Sequence, residues 1–185
     1  MSYHQKPDAA ASRSSESSAV SIRPALKAQL HATLHMLRDA IERCPDGAWD
    51  DGHFTNPFWH VAYHVLFYTD LYLHPDETSF KPWRGHRPDL NFMGTAPGNP
   101  PRSVGPGEPL TRTELLEYWD VVDGRIDSAL DSLDLDAAAS GFWWYDMPKL
   151  EHVLLNLRHL AHHPGQLAER VRSAGATGVG WVPRG

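Results

Sequence analysis

The last strongly apolar segment of the chain carries a row of side chains that could bind a metal ion. His159 and His163 are four residues apart, so on an α-helix their imidazoles lie on one face. The same face includes His152, Asn156 and Gln166, whereas the opposite face is aliphatic. Neutral imidazole binds Zn²⁺ and similar ions, and a catalytic site keeps one coordination position free for water or substrate. Two imidazoles seldom hold an ion alone, so we expect a third ligand from another segment.

A second histidine pair with the same spacing, His60 and His64, lies in the apolar segment 57–73. This segment is apolar on most sides, so we expect a buried helix. Buried imidazoles are costly unless a metal, water or a hydrogen bond satisfies them. Periodicity alone does not distinguish His60 from His64 as the third ligand. A third pair, His31 and His35, lies beside the apolar stripe of the first predicted helix, and we interpret both as flank residues rather than metal ligands.

The segment His-x-x-His-His-x-Gly-Gln-Leu at 159–167, with a histidine in an apolar second helix, resembles the DinB/YfiT-like superfamily over residues 20–174. The resemblance implies an all-α fold: a four-helix bundle of up-down-down-up topology with a long loop between helices 2 and 3. It also implies a divalent metal held by three histidines. Carried over by position, these are His64, His159 and His163. The family motif places its ligand inside the second helix, which favours His64 over His60 in the first turn.

The same resemblance implies a function. Some members are metal-dependent transferases that use low-molecular-weight thiols, and many have no assigned activity. We therefore expect a divalent-metal-dependent enzyme in which Zn, Ni or Mn activates a small thiol or water for transferase or hydrolase chemistry on a small-molecule substrate. The alternative is a non-enzymatic metal-binding or ligand-binding bundle. Members are often dimeric, so a homodimer is expected, and the sequence assigns no catalytic residue.

Four polar side chains are candidate neighbours of the metal ligands, namely His60, His152, His162 and Gln166. His162 points about 100° away from His163 around a helix of 3.6 residues per turn, which places it beside the site or on the surface. Gln166 either orients a bound water or substrate or makes an ordinary helix-end hydrogen bond. Pro164, where relatives commonly carry another residue, removes the bond to the Leu160 carbonyl and is expected to kink or end the helix.

Four predicted helices must position these groups, and they begin near Pro24, at Pro57, at Thr111 and near Pro148. Proline is well placed in the first turn of a helix. Glu114 follows Thr111 at the spacing of a capping box. The first helix is expected to end at 44–47, and the others near Leu73, Leu133 and Ser173.

Two connections between these helices are long enough to contribute to a site. Residues 74–110 are rich in proline and glycine, and such connections are often lids or flexible segments. The length of this first connection also permits the second and third predicted helices, which it joins, to run parallel. The second connection, 134–147, ends in the aromatic run 141–146. That run either walls a pocket or plugs the end of the core.

Composition limits the domain plan and the partners. We expect a disordered, Ser- and Ala-rich tail at 1–18, the bundle at 19–174 and a Gly-rich tail at 175–185 in which Trp181 could dock. A net charge of −6 argues against a nucleic-acid partner. The single cysteine, Cys44, excludes an intrachain disulfide and fits a reducing compartment. Neither a membrane span nor a signal peptide is visible, so no membrane association and a cytoplasmic location are expected.

Overall fold

The computed structural model describes residues 21–185, and this part of the chain is mainly helical. The helices are α1 (Ile22–Arg43), α2 (Asp46–Trp49), α3 (Phe58–Tyr72), α4 (Arg112–Ser132) and α5 (Lys149–Ser173). Two short strands, β1 (Thr95–Ala96) and β2 (Arg102–Ser103), form an antiparallel pair in the connection between α3 and α4. The predicted all-α class is confirmed, with α2 as an additional short helix. The tail predicted at 1–18 lies outside the described residues.

Local chemistry fixes where the helices begin. Thr111 caps α4 through a capping box: its hydroxyl accepts a hydrogen bond from the Glu114 amide at 3.2 Å, and the Glu114 carboxylate accepts one from the Thr111 amide at 2.7 Å. Pro57 and Pro148 are the N-cap residues of α3 and α5, and Pro24 lies in the first turn of α1. Proline suits these positions because the first amides of a helix have no intrahelical acceptor.

Pro164 does not end the last helix, which contradicts one of the two outcomes expected from the sequence. The α-helix α5 continues through this residue to Ser173. Proline still lacks the N–H that would bond to the Leu160 carbonyl, so a single backbone hydrogen bond is missing at this point. Pro164 itself is buried, as are Leu160 and Leu167 on the same helix. We infer that the packing of these buried side chains keeps α5 a continuous helix despite the missing hydrogen bond.

The four long helices pack so that α1 contacts α4 and α5, and α3 contacts the same two helices. The leucine stripe of α1 is in the core: Leu30, Leu34 and Leu37 are fully buried. Burying a leucine side chain contributes about 1.5–3 kcal/mol. Helix α3 is buried on nearly every side, as its apolar sequence predicts. Its few polar side chains must therefore find partners inside the protein.

Hydrogen bonds tie helix ends to neighbouring elements. The Arg23 guanidinium, at the start of α1, donates to the carbonyl oxygen of Leu133 at the end of α4, 2.8 Å away. The Arg170 guanidinium, near the end of α5, donates to the carbonyl oxygen of Asn56 just before α3, at 2.9 Å. The start of α1 thus lies beside the end of α4, and the end of α5 lies beside the start of α3.

The long connection between α3 and α4 packs on the helices. Trp83 is buried and stacks on Tyr118 of α4, with ring centroids 4.8 Å apart. Phe80 packs edge-on against Phe67 of α3 at 5.3 Å. These aromatic contacts hold the connection against α3 and α4.

The C-terminal residues run back along α1. The amide of Gly180 donates to the Asp39 carboxylate, and the amide of Gly185 donates to the Ala28 carbonyl, both at 3.1 Å. Trp181 is 79% exposed, so it does not dock into the core. Within residues 21–185, no helix combines the length and apolar character that crossing a bilayer requires.

Candidate metal centre

Helices α3 and α5 bring together three imidazoles from distant parts of the sequence. The candidate ligand nitrogens of His64, His159 and His163 all lie within 4.8 Å of one another. The Nε2 atom of His159 is 3.2 Å from Nε2 of His64 and 3.2 Å from Nε2 of His163. Nitrogens placed tetrahedrally at about 2.0–2.1 Å from one ion are about 3.3 Å apart. The observed spacing is therefore close to the spacing that a shared ion requires.

The outer ring nitrogens show which tautomer two of these histidines adopt. Nδ1 of His64 lies 2.7 Å from the carbonyl oxygen of Asn91. A carbonyl oxygen only accepts, so this Nδ1 carries the proton and Nε2 carries the lone pair. Nδ1 of His163 lies 2.8 Å from the side-chain oxygen of Gln166, which leaves its Nε2 as a lone pair in the same way. Partners of this kind orient the ring of a histidine that binds a metal.

His159 occupies the middle of the three and shows why a cation fits here. Its Nδ1 is buried and has no hydrogen-bond partner within residues 21–185. The lone pairs of His64 and His163 both face its Nε2, and one N–H can satisfy only one of them. A cation shared by the three Nε2 atoms would satisfy every lone pair. The donor set also consists of neutral imidazoles, which suit Zn²⁺ and Ni²⁺.

Electrostatics keep these rings in the ligand form. Burial, with smaller contributions from the neighbouring imidazoles, lowers the pKa of His64 to about 3 and that of His159 to about 4. Burial also lowers the pKa of His163, although the hydrogen bond to Gln166 opposes this. A buried site disfavours the charged imidazolium. At neutral pH all three rings are therefore free bases, which is the form that binds a metal.

A cavity of about 580 Å³ lies beside the histidines, and His64 and His159 form part of its wall. The rest of the wall is largely aromatic and comprises Phe67, Tyr68, Tyr72, Phe80, Phe92, Trp143, Trp144 and Tyr145, with Leu71, Pro97, Asn91 and Glu77. The aromatic run after Gly141 therefore lines a pocket. Phe142 of the same run is buried, so it fills the core as well.

The structure separates the four candidate neighbours of the ligands. Gln166 hydrogen-bonds to His163. His60 is buried and its Nε2 bonds to the carbonyl oxygen of Leu90 at 2.8 Å, away from the three converging nitrogens. His162 is exposed, with its ring 4.9 Å from that of His163. His152 is buried among aromatic rings two turns before His159, and neither ring nitrogen has a partner among the described residues.

Two residues at the site are missing from the sequence interpretation. Asn91 contributes a backbone carbonyl, which leaves no signal in the residue type. Tyr68 follows His64 by four residues, and its ring is 4.8 Å from that of His64 and 5.8 Å from that of His159. The Asn91 side-chain amide donates to the Tyr68 hydroxyl at 3.2 Å. The same four-residue spacing that pairs the histidines could have identified Tyr68.

The thiol of Cys44 takes no part in the site. It is buried at the end of α1, and burial raises its pKa to about 11. At neutral pH the thiolate fraction is therefore very small, and the thiolate is the reactive form.

Comparison with known families identifies the superfamily of the chain. The family model of the DinB superfamily matches residues 29–167, which include His64, His159 and His163. No individual curated protein matches the chain. The matched segment spans most of the chain and runs from α1 into α5. The chain belongs to the DinB superfamily.

Proposed function

We propose that the protein is a divalent-metal-dependent enzyme that activates a small thiol or water for transferase or hydrolase chemistry on a small molecule. The observation that carries the proposal is the convergence of three imidazole Nε2 atoms beside a cavity of about 580 Å³, whose wall includes the rings of His64 and His159. A bound divalent ion supplies a Lewis acid that lowers the pKa of water or of a thiol into the physiological range.

Each group of the protein has a defined task in this proposal. His64, His159 and His163 hold the ion, which is Zn, Ni or Mn. The Asn91 carbonyl and the Gln166 amide oxygen keep two of the rings turned towards it. The aromatic wall excludes water from the substrate, which strengthens the electrostatic interactions of reacting groups. No general base is assigned, because the one carboxylate on the described wall, Glu77, is exposed.

The proposal includes the up-down-down-up topology of the bundle. The contacts of Arg23 and Arg170 support antiparallel α1–α4 and α3–α5 pairs. The ion pair between Asp70 and Arg125 at 3.0 Å supports a parallel α3–α4 pair. The contact between Tyr63 and Tyr118 supports the same parallel arrangement, because each of these residues lies seven positions before its counterpart in the ion pair. A homodimer and a cytoplasmic location, with Cys44 in its reduced form, complete the proposal.

The proposal is tested by turnover. Metal-loaded wild-type protein and His159→Ala are incubated with a panel of low-molecular-weight thiols and a carbon electrophile, and separately with ester and amide substrates. We expect thiol consumption or hydrolysis only with metal-loaded wild type. If metal binds stoichiometrically but no thiol and no hydrolysable substrate turns over, the protein is instead a non-enzymatic metal- or ligand-binding bundle.

A further inference from the structure

We infer that the cavity beside the three histidines binds the uncharged, flat, apolar body of a substrate, with Trp143 covering it from the solvent side. The inference rests on the proposed function only for the reactive end of that substrate, which would face His64 and His159. It assigns a substrate class: aromatic or similarly planar molecules that carry one neutral hydrogen-bond acceptor, such as a carbonyl group.

The size and surface of the cavity fit such a molecule. Its volume, about 580 Å³, is within the range of roughly 300–1,000 Å³ typical of small-molecule sites. Aromatic rings from α3, from the long connection and from residues 143–145 all contribute to its wall. Aromatic walls favour flat ligands, because offset and edge-on ring contacts add to the burial of apolar area. The wall therefore selects for shape as well as for low polarity.

Trp143 combines a place on the cavity wall with a high exposure to solvent. It lines the cavity and yet is 84% exposed, although tryptophan side chains are on average largely buried. Its ring meets Trp144 edge-on at 5.4 Å. Bound ligand would cover part of Trp143, which would then contribute apolar contact without any rearrangement of the bundle.

The backbone that carries Trp143 is held in place. Gly141 has a φ of +84°, and a Cβ added there would lie 2.0 Å from the Pro75 carbonyl oxygen, so only glycine fits. The Ser140 hydroxyl donates to the Tyr145 carbonyl at 2.7 Å and accepts from the Phe142 amide at 3.0 Å. Exposure of Trp143 is therefore a consequence of a defined turn.

One polar group on the wall is suited to a neutral acceptor. The Tyr68 hydroxyl accepts a hydrogen bond from the Asn91 amide, so its own proton remains to be donated. The Tyr68 ring contacts His64 and His159, which places this donor on the part of the wall next to the candidate metal ligands. A carbonyl oxygen on the substrate could accept from Tyr68 while the adjacent carbon faces the histidines.

Charge on the wall argues against a carboxylate in the apolar part of the cavity. Among the described lining residues there is no lysine or arginine, and the one carboxylate is that of Glu77. A carboxylate placed between the aromatic rings would lose hydration without gaining a cationic partner. The body of the substrate therefore carries no negative charge.

The test uses two naphthalenes of nearly equal shape, 2-acetylnaphthalene and 2-naphthoate. Binding to metal-free and Zn-loaded protein is measured at pH 7.5 by calorimetry, and zinc content is determined on the same samples. We expect metal-free protein to bind the ketone on the order of tenfold more tightly than the carboxylate. Metal-free protein reports the preference of the cavity wall alone, because bound zinc could itself ligate the carboxylate of 2-naphthoate.

Two exposed tryptophans provide a matched pair of variants. Trp143→Ala should weaken binding of 2-acetylnaphthalene on the order of tenfold, because it removes an aromatic contact. Trp181→Ala, at a similarly exposed tryptophan outside the cavity, should leave binding unchanged. Equal binding of the two probes by metal-free protein, or equal effects of the two variants, would overturn the inference. If neither probe binds while zinc loads normally, the substrate inference fails and the proposed metal site stands. If the ketone binds but zinc does not, the metal site fails and the substrate inference stands.

Discussion

His64 is oriented by the long connection: its Nδ1 lies 2.7 Å from the carbonyl oxygen of Asn91. One turn earlier on α3, His60 bonds through Nε2 to the preceding carbonyl, that of Leu90, at 2.8 Å. The same helix therefore binds two successive carbonyls of the connection through two histidines. Only His64 also presents a free nitrogen to α5. This difference separates a candidate ligand from a residue that positions the connection.

His64→Ala should abolish stoichiometric metal binding, because it removes one of three ligands. His60→Ala should weaken binding by about 10–100-fold, the range for residues that act through a ligand's partner. Competition titrations against a chromophoric chelator measure both affinities. Loss of binding in His60→Ala with intact binding in His64→Ala would show that the ligand assignment on α3 is wrong.

Gln166 offers a test of how His163 is oriented. Gln166→Leu removes the acceptor of the His163 Nδ1 proton and should lower metal affinity by about 10–100-fold. Gln166→Glu keeps an acceptor at the same position and should retain affinity closer to wild type. Gln29→Leu, at an exposed glutamine on α1, serves as the control. Equal affinities for Gln166→Leu and Gln29→Leu would mean that Gln166 makes only a helix-end hydrogen bond.

The stability of the metal-free protein should fall as the pH falls from about 6.5 towards 4. In the folded protein, burial lowers the pKa of His64 to about 3 and those of His152 and His159 to about 4. In the unfolded chain these groups titrate near 6.5. Below that pH the unfolded chain binds more protons, so the free energy of unfolding decreases. Urea unfolding at pH 7.5 and 5.5 measures the change, and greater stability at pH 5.5 would contradict it.

His152 provides a variant that separates stability from metal binding. Its ring is buried between Tyr72 and Phe142 without a hydrogen-bond partner among the described residues. His152→Leu should raise the free energy of unfolding at pH 7.5 by about 1 kcal/mol, because it removes unsatisfied polar atoms from the core. The fall in the free energy of unfolding between pH 7.5 and pH 5.5 should also be smaller in this variant than in wild type.

The matched control for that variant is His162→Leu, at an exposed position on the same helix. It should change stability by no more than about 0.5 kcal/mol. Metal affinity should be unchanged in His152→Leu, since its ring lies two turns from His159. A large loss of metal affinity would instead place His152 among the groups that support the site.

Much of the fold follows from local patterns in the sequence. The stripe of Leu30, Leu34 and Leu37 predicts a buried helix face, and the spacing of Thr111 and Glu114 predicts the capping box at the start of α4. These features depend on residues within a few turns of one another. Pro164 is the exception: its local preference is to kink or end a helix, but α5 continues through it to Ser173.

The site is less accessible to sequence reasoning, because its supporting contacts come from distant segments. Spacing pairs His159 with His163, and superfamily resemblance adds His64. Backbone carbonyls have no residue signature, so the bond from Asn91 to His64 is visible only once the long connection is placed on α3. The cavity likewise depends on the meeting of this connection with residues 143–145.

We propose that three imidazoles hold one divalent ion. The metal-to-protein ratio of tag-free protein, reloaded with Zn²⁺, Ni²⁺ or Mn²⁺ and passed through a desalting column before elemental analysis, tests this most directly. We expect about one ion per chain for wild type with at least one of these metals, and a ratio near zero for His159→Ala, whose Nε2 lies between the other two. A wild-type ratio near zero with all three metals, or an unchanged ratio in His159→Ala, would contradict the claim.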